Sequence, residues 1–180
     1  MNSDFVAEVA REYAAAKHKP NHPSYKAFCR ETVAQFRGLV NSGWKFTRTA
    51  NEPYPDSDAM FRDMRENKHL NIFTGGNLVF GNPLNHGVYV YIPFENNGWL
   101  NSFSINECFR AVHDILGHGK HNSPYETFEG ELAAYQEHKK WYSPEALPAL
   151  YSETVGQLCV YYATGDFVPV QENKILEVRL

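Results

Sequence analysis

Two histidines five positions apart, His113 and His118, are the residues of this sequence best suited to metal chemistry. Each imidazole can offer one ring nitrogen to a divalent metal ion. An α-helix turns about 100° per residue, so side chains five positions apart point about 140° away from each other. Gly117 offers a solution, because a glycine just past a helix end can adopt a left-handed conformation that ends the helix. We therefore expect His113 to project from the last turn of a helix and His118 to fold back onto the same ion.

Inward-facing polar residues on the two helices expected downstream supply candidates for the rest of the site. Glu131 and His138, seven positions apart, lie beside the apolar stripe of one helix. Glu153 and Gln157, four positions apart, lie at the edge of the stripe of the next helix. Burying an unpaired carboxylate costs several kcal/mol, so these groups should meet partners in the interior. We take Glu153 as the third metal ligand.

The remaining polar residues keep more than one interpretation. Glu131 and His138 either orient the ligands, contact substrate or form a salt-bridged pair in the helix packing. Asp114 either lies behind a ligand or at the substrate, or is a simple helix charge. Gln157 binds either the site or a neighbouring helix, and Arg110, one turn before the first histidine, can pair with a carboxylate or an anionic substrate. The candidate catalytic residues are therefore Asp114, Glu131, His138 and Gln157.

Helix signals dominate the sequence around these candidates. Ser104 and Glu107 fit a capping box that begins a helix ending at Gly117. The segment 123–126 fits a second capping box with proline at its favoured position, and the segment 143–145 begins a third helix in a similar way. Further helices are expected at 4–17, 24–40 and 56–65, and short strands at 44–47, 69–74 and 87–93, with a loop-prone stretch at 75–83.

The fold class follows from these elements and from the composition. The 180 residues suit a single domain spanning 1–180, and 43% hydrophobic and 14% aromatic residues are typical of an ordered globular protein. We expect a mainly α protein with a small β element (α+β), in which a C-terminal three-helix bundle carries the metal site.

Charge and cysteine content limit the partners and the compartment. A formal net charge of -4 argues against a general nucleic-acid or membrane surface, and no apolar run of about 20 residues predicts a membrane span. The 3 cysteines are widely spaced and odd in number, which is typical of free thiols in a reducing compartment. We expect a soluble, cytoplasmic protein that acts on a small molecule. The sequence leaves the oligomeric state open.

The segment from His113 to His118 resembles the iron-binding motif of the pterin-dependent aromatic amino acid hydroxylases: histidine, an acidic residue, two aliphatic residues, glycine and histidine. In that family a glutamate on a downstream helix completes a two-histidine-one-carboxylate face on iron. Glu153, 35 positions after His118, is the matching residue. The resemblance covers about residues 105–165. It implies Fe(II), O2 as cosubstrate and a pterin, although the family's proline-rich pterin-contacting segment is not traceable upstream of the histidines.

The whole chain also looks like small phage-associated proteins of unassigned function, which would place it in the host cytoplasm. We expect a mononuclear non-haem Fe(II) monooxygenase that hydroxylates a small aromatic or pyrimidine-type substrate. One alternative is a hydrolase that uses zinc or another divalent metal on the same three ligands. Another is a two-metal carboxylate enzyme using Glu131, His138 and Glu153. The last is a non-catalytic protein in which the polar cluster is a structural network.

Overall fold

Seven α-helices and four short strands occupy the part of the chain that the computed structural model describes, which is residues 3–19, 21–73, 89–93, 100–166, 168 and 174–180. The helices are α1 (Ser3–Ala15), α2 (Pro23–Asn41), α3 (Ser57–Asn67), α4 (Ile105–His113), α5 (Phe128–His138), α6 (Leu147–Tyr151) and α7 (Gln157–Thr164). The strands are β1 (Lys45–Thr49), β2 (His69–Phe73), β3 (Tyr89–Pro93) and β4 (Leu100–Ser104). The prediction of a mainly helical α+β fold is confirmed.

The described strands form two separate pairs. Strands β1 and β2 are parallel, with Lys45 opposite His69 and Thr49 opposite Phe73, and α3 makes the crossover between them. Strands β3 and β4 are antiparallel. The strands predicted at 44–47 and 69–74 are confirmed as β1 and β2, whereas β4 was not predicted. The loop-prone stretch 75–83 and the start of the strand predicted at 87–93 lie outside the described residues.

Two helices change their winding partway along. Helix α4 continues into a π-helical turn, Asp114–Gly119, and α6 continues into a second one, Ser152–Gly156, before α7 begins. The expected helix end at Gly117 is therefore wrong. Among the described glycines, positive φ angles occur at Gly43 and Gly165, whereas Gly117 lies within the first π-helical turn. The chain accommodates the five-residue spacing by widening the helix rather than by breaking it.

The capping box that begins α4 is confirmed. The Glu107 backbone N–H donates to Ser104 Oγ at 3.2 Å, and the Ser104 backbone N–H donates to Glu107 Oε2 at 2.7 Å. Each side chain thus satisfies one backbone group that the helix leaves without a partner. The helix carrying His113 is consequently fixed at its first residue.

The starts predicted for the two following helices are wrong. Helix α5 begins at Phe128, with Thr127 as its cap. Glu126, expected to close a capping box, instead accepts hydrogen bonds from the backbone N–H and the hydroxyl of Ser57 at the start of α3, at 2.6 and 2.5 Å. The segment 143–145 precedes α6 as a turn, and Ser143 donates to Glu31 on α2. Contacts between distant segments override the local capping pattern here.

An aromatic core lies between α2, α4 and the chain that follows α5. The Phe28 ring packs edge-on against Phe109 at 5.0 Å between centroids and stacks on Tyr142 at 5.6 Å. Phe109 in turn stacks on His113, with 5.6 Å between ring centroids. The hydrophobic core therefore extends directly to the back of the first histidine.

Adding one methyl group at Gly130 should destabilise the fold. An ideal Cβ there would lie 1.9 Å from the Pro124 carbonyl oxygen, so the backbone must shift. We expect Gly130→Ala to lower the free energy of unfolding by about 1–3 kcal/mol, measured by chemical denaturation. Gly38→Ala is the matched control, because no atom lies within 4 Å of its Cβ and α2 should gain up to about 1 kcal/mol. Unchanged stability in Gly130→Ala would contradict the expectation.

Candidate metal centre

His113, His118 and Glu131 come together where the first π-helical turn meets α5. One ligand atom from each residue lies within 4.8 Å of the others. Glu131 Oε2 is 3.8 Å from His113 Nε2 and 3.5 Å from His118 Nε2. Metal–ligand bonds of about 2.1 Å would hold such atoms roughly 3.0–3.5 Å apart, so a small movement would allow the three atoms to share one ion.

The π-helical turn is what brings the two histidines to one face. In a π-helix the backbone hydrogen bonds run from residue i to i+5, so side chains five positions apart lie in successive turns above one another. The rings of His113 and His118 are 5.0 Å apart between centroids and nearly perpendicular. The interpretation that both histidines face one site is therefore supported, but by a different backbone device from the one expected.

Gly117 serves the site by leaving space. A Cβ at this position would lie 3.0 Å from the Ala134 carbonyl oxygen and 3.3 Å from both the Ala134 Cβ and the His113 Nδ1. The absent side chain allows α5 to pack directly on the π-helical turn. This close approach places Glu131, in the first turn of α5, beside both imidazoles.

The electrostatics of the group favour an ionised carboxylate. Burial raises the pKa of Glu131, but the neighbouring imidazoles of His113 and His118 outweigh this effect and lower the pKa to about 2. Burial lowers the pKa of His118, yet the nearby carboxylates of Glu131 and Asp114 and the hydrogen bond to the Ser123 carbonyl raise it above that of a free imidazole. Metal binding would therefore require His118 to give up the proton that the nearby carboxylates favour.

His118 is held in a defined orientation. Its side chain is 1% exposed, and its Nδ1 lies 2.7 Å from the Ser123 carbonyl oxygen. A carbonyl oxygen only accepts, so Nδ1 carries the proton and donates it. The Nε2 atom then faces Glu131, as a metal ligand requires.

His138 lies behind His113 and is not in the group. Its Nδ1 is 3.0 Å from His113 Nδ1, and its Nε2 is 3.0 Å from Gln35 Oε1. Burial lowers the pKa of His138 well below its ordinary value, and the neighbouring His113 and His118 lower it further. Of the interpretations kept open for His138, the geometry supports the one in which it orients a ligand.

Glu153, the predicted third ligand, is not in this group, and Glu131 takes its place. Glu153 lies in the second π-helical turn, where its carboxylate accepts hydrogen bonds from the Tyr25 hydroxyl and from Gln157 Nε2, the latter at 2.7 Å. Burial raises the pKa of Glu153 to about 7 despite these two hydrogen bonds, which lower it. Its side chain faces Tyr25 on α2 and not the group of His113, His118 and Glu131. Gln157, a predicted catalytic residue, pairs with Glu153 instead of lining the site.

A pocket of about 220 Å³ opens onto the group formed by His113, His118 and Glu131. Arg110 and Asp114 line it, so two of the residues singled out in the sequence lie at the site. Burial raises the pKa of Asp114, and the neighbouring His118 and His113 only partly offset the shift. The guanidinium of Arg110 donates to the Phe73 carbonyl at 3.1 Å. The pocket wall also contains residues that carried no signal in the sequence: Glu52, Tyr54, Asn71 and Tyr125.

The fold and the site together define an α+β protein with a two-histidine-one-glutamate group in a small pocket. Comparisons with protein-family models, curated proteins and solved structures found no match to this chain. The likeness to the aromatic amino acid hydroxylases therefore stays a hypothesis based on the motif alone. Among the described residues, no helix is both long enough and apolar enough to cross a membrane.

Replacing Glu131 with Gln should change how the stability of the metal-free protein depends on pH. Because the pKa of Glu131 falls from its ordinary 4.5 to about 2 on folding, its ionised carboxylate stabilises the fold above pH 4.5. That stabilisation is lost as the pH falls from about 4.5 to about 2. Across this interval we expect the wild-type protein to lose a few kcal/mol more than Glu131→Gln, by chemical denaturation with a chelator present.

The control for this measurement is Glu66→Gln, which changes an exposed carboxylate on α3. Its pH dependence should follow the wild-type curve. Parallel curves for the wild-type protein and Glu131→Gln would contradict the ion pair.

Proposed function

We propose that this protein is an enzyme with one divalent metal ion, held by His113, His118 and Glu131. The observation that carries the proposal is the convergence of His113 Nε2, His118 Nε2 and Glu131 Oε2 at the wall of a pocket. His118 is additionally oriented from behind by a backbone carbonyl, as ligating histidines usually are. Three protein ligands leave coordination positions for substrate on the pocket side.

For the metal we propose Fe(II), with O2 as cosubstrate, and hydroxylation as the reaction. Two imidazoles and one carboxylate on one face are the donor set of non-haem iron oxygenases. A ferrous ion in this position would supply the activation of O2. The reaction also needs two electrons, and a pterin or another two-electron reductant would supply them.

The pocket supports a small substrate with a planar ring and an anionic group. Its volume of about 220 Å³ is below the roughly 300–1,000 Å³ typical of sites for drug-sized ligands. Tyr54, Phe73 and Tyr125 provide aromatic walls. Arg110 provides the fork of N–H donors that matches a carboxylate or phosphate, and an anionic substrate group would compete there with the carboxylates of Asp114 and Glu52. An aromatic acid and a pyrimidine nucleotide both meet this description.

The position of Asp114 supports a second candidate function, a zinc-dependent hydrolase on the same three ligands. Asp114 directly follows a ligand, lines the pocket and has a raised pKa because of burial. A carboxylate in this place could accept the proton of an attacking water. Zinc would supply the activation of that water.

The two-metal alternative lacks support in the described part of the chain. His138 bonds to a ligand, Glu153 pairs with Tyr25, and neither lines the pocket. The group found there holds three residues, which suits one ion.

The cysteines support a reducing compartment. Cys29, Cys108 and Cys159 are all free thiols. Burial raises the pKa of Cys29 and of Cys159 to about 11 each, so these thiols stay protonated and unreactive at neutral pH. We propose a cytoplasmic location, in the host cell if the chain is phage-encoded.

Metal content tests the ligand assignment. We expect about one iron or zinc per wild-type chain after anaerobic purification and loading, measured by elemental analysis. His113→Ala, His118→Ala and Glu131→Gln should each lose most of it, because one of three ligands is gone. Glu153→Gln is the matched control and should retain it. Metal lost in Glu153→Gln but kept in Glu131→Gln would refute the assignment.

Activity assays separate the two chemistries. The iron-loaded protein should consume O2 when small aromatic acids or pyrimidine nucleotides are added with a pterin or ascorbate as reductant. The zinc-loaded protein should then fail to hydrolyse p-nitrophenyl esters and phosphates above the rate of its Asp114→Asn variant. Hydrolysis by the zinc form that falls at least about tenfold in Asp114→Asn, with no O2 uptake by the iron form, would favour the hydrolase.

A further inference from the structure

Gln35, on α2, is linked to the candidate metal centre although it does not line the pocket. A chain of side chains runs from Gln35 through His138 to His113. Gln35 Oε1 lies 3.0 Å from His138 Nε2, and His138 Nδ1 lies 3.0 Å from His113 Nδ1. The chain thus joins α2, α5 and α4 through two hydrogen bonds.

The direction of both hydrogen bonds is fixed from the Gln35 end. The Gln35 amide Nε2 donates to the Trp141 backbone carbonyl at 3.0 Å, and a carbonyl oxygen only accepts. The amide oxygen of Gln35 must therefore be the atom that faces His138. Because an amide oxygen only accepts as well, His138 Nε2 carries a proton and donates it.

The proton on Nε2 determines what His138 offers to His113. His138 is fully buried, and among the described residues its recorded contacts are His113, Gln35 and the rings of Phe109 and Tyr142, none of which would offset a positive charge with a carboxylate. A neutral imidazole with its proton on Nε2 has a bare Nδ1, which accepts. His113 Nδ1 must then be the donor of the 3.0 Å hydrogen bond.

We propose that Gln35 and His138 are positioning residues that fix the tautomer of His113. With a proton held on Nδ1, His113 keeps Nε2, the nitrogen that faces Glu131 and His118, as the atom available to a metal. An opposite tautomer would place a proton where the metal must bind. The consequence for metal affinity rests on the proposed function, whereas the tautomer itself is a property of the metal-free protein.

The packing around the two rings holds both imidazoles in the orientation that these hydrogen bonds require. We call the chain from Gln35 through His138 to His113 the relay. Phe109 stacks on His113 and on His138, at 5.6 and 6.0 Å between centroids. Tyr142 meets His138 edge-on at 5.0 Å, and its hydroxyl is tied to Thr32 on α2 at 2.7 Å. The rings can therefore exchange protons between nitrogens without turning over, so the polar end group at position 35 decides which tautomer is present.

Two substitutions at Gln35 test the relay in opposite ways. Gln35→Lys places a donor against His138 Nε2, which reverses both hydrogen bonds and puts a proton on His113 Nε2. Gln35→Met removes the acceptor and leaves the tautomer undetermined. Ala34→Lys is the matched control, because it adds the same charge at an exposed neighbouring position. Thermal melting checks that all three variants fold.

The first readout is the tautomer of His113 in metal-free protein near pH 8, from long-range ¹H–¹⁵N NMR of the imidazoles. We expect the Nδ1–H form in the wild-type protein and in Ala34→Lys, and the Nε2–H form in Gln35→Lys. The second readout is the Kd for Zn(II) or Co(II) by chelator competition. We expect it to rise about 10–100-fold in Gln35→Lys and less in Gln35→Met.

The outcomes separate the relay from the proposed function. An Nε2–H tautomer in the wild-type protein, or an unchanged tautomer in a folded Gln35→Lys, would overturn the relay whatever the metal affinity. The expected tautomers without metal binding by the wild-type protein would uphold the relay and refute the metal centre. An equal loss of metal affinity in Ala34→Lys would show a charge effect and overturn the role of Gln35.

Discussion

The close packing of α5 on the first π-helical turn is the contact on which the candidate site depends. It requires Gly117, because a side chain there would meet the backbone of Ala134 on α5. The packing brings the carboxylate of Glu131 to two imidazoles that come from a neighbouring segment. Removing that carboxylate from water is favourable only because both imidazoles compensate it. Backbone shape and electrostatics are thus coupled in one small volume.

Behind this contact, the apolar core and the polar site form one continuous layer. The rings of Phe28, Phe109 and His113 pack in sequence, from the interior to the pocket wall. Rings in such contact have few alternative orientations, so the core restricts the orientation of the His113 imidazole. Hydrogen bonds to Ser123 and His138 then set how the imidazoles are protonated. The protein alone therefore holds the two imidazoles in a defined arrangement.

Local sequence patterns predicted most of the helices and strands but not all three residues that the fold groups together. The alternation of helices with short strands and the capping box at Ser104 were sufficient to predict the fold class. The spacing of His113 and His118 was sufficient to predict two of the three grouped residues. Glu153 was preferred over Glu131 because the resemblance to the aromatic amino acid hydroxylases pointed to a glutamate on a helix further downstream. Which face of a helix turns inward depends on packing against distant segments, such as α2 against Glu153, and no local pattern reports it.

The π-helical turn also relates this site to a more common arrangement. Two histidines at positions i and i+4 lie on one face of an ordinary α-helix. A five-residue spacing within a π-helical turn produces the same convergence with one residue more. His113 and His118 are therefore geometrically equivalent to such a pair into which a single residue has been inserted. The wider turn absorbs the inserted residue, so the helix after His118 continues as it would after a pair at positions i and i+4. One extra residue is thus accommodated within the turn without separating the two histidines or changing which side chains follow them around the helix.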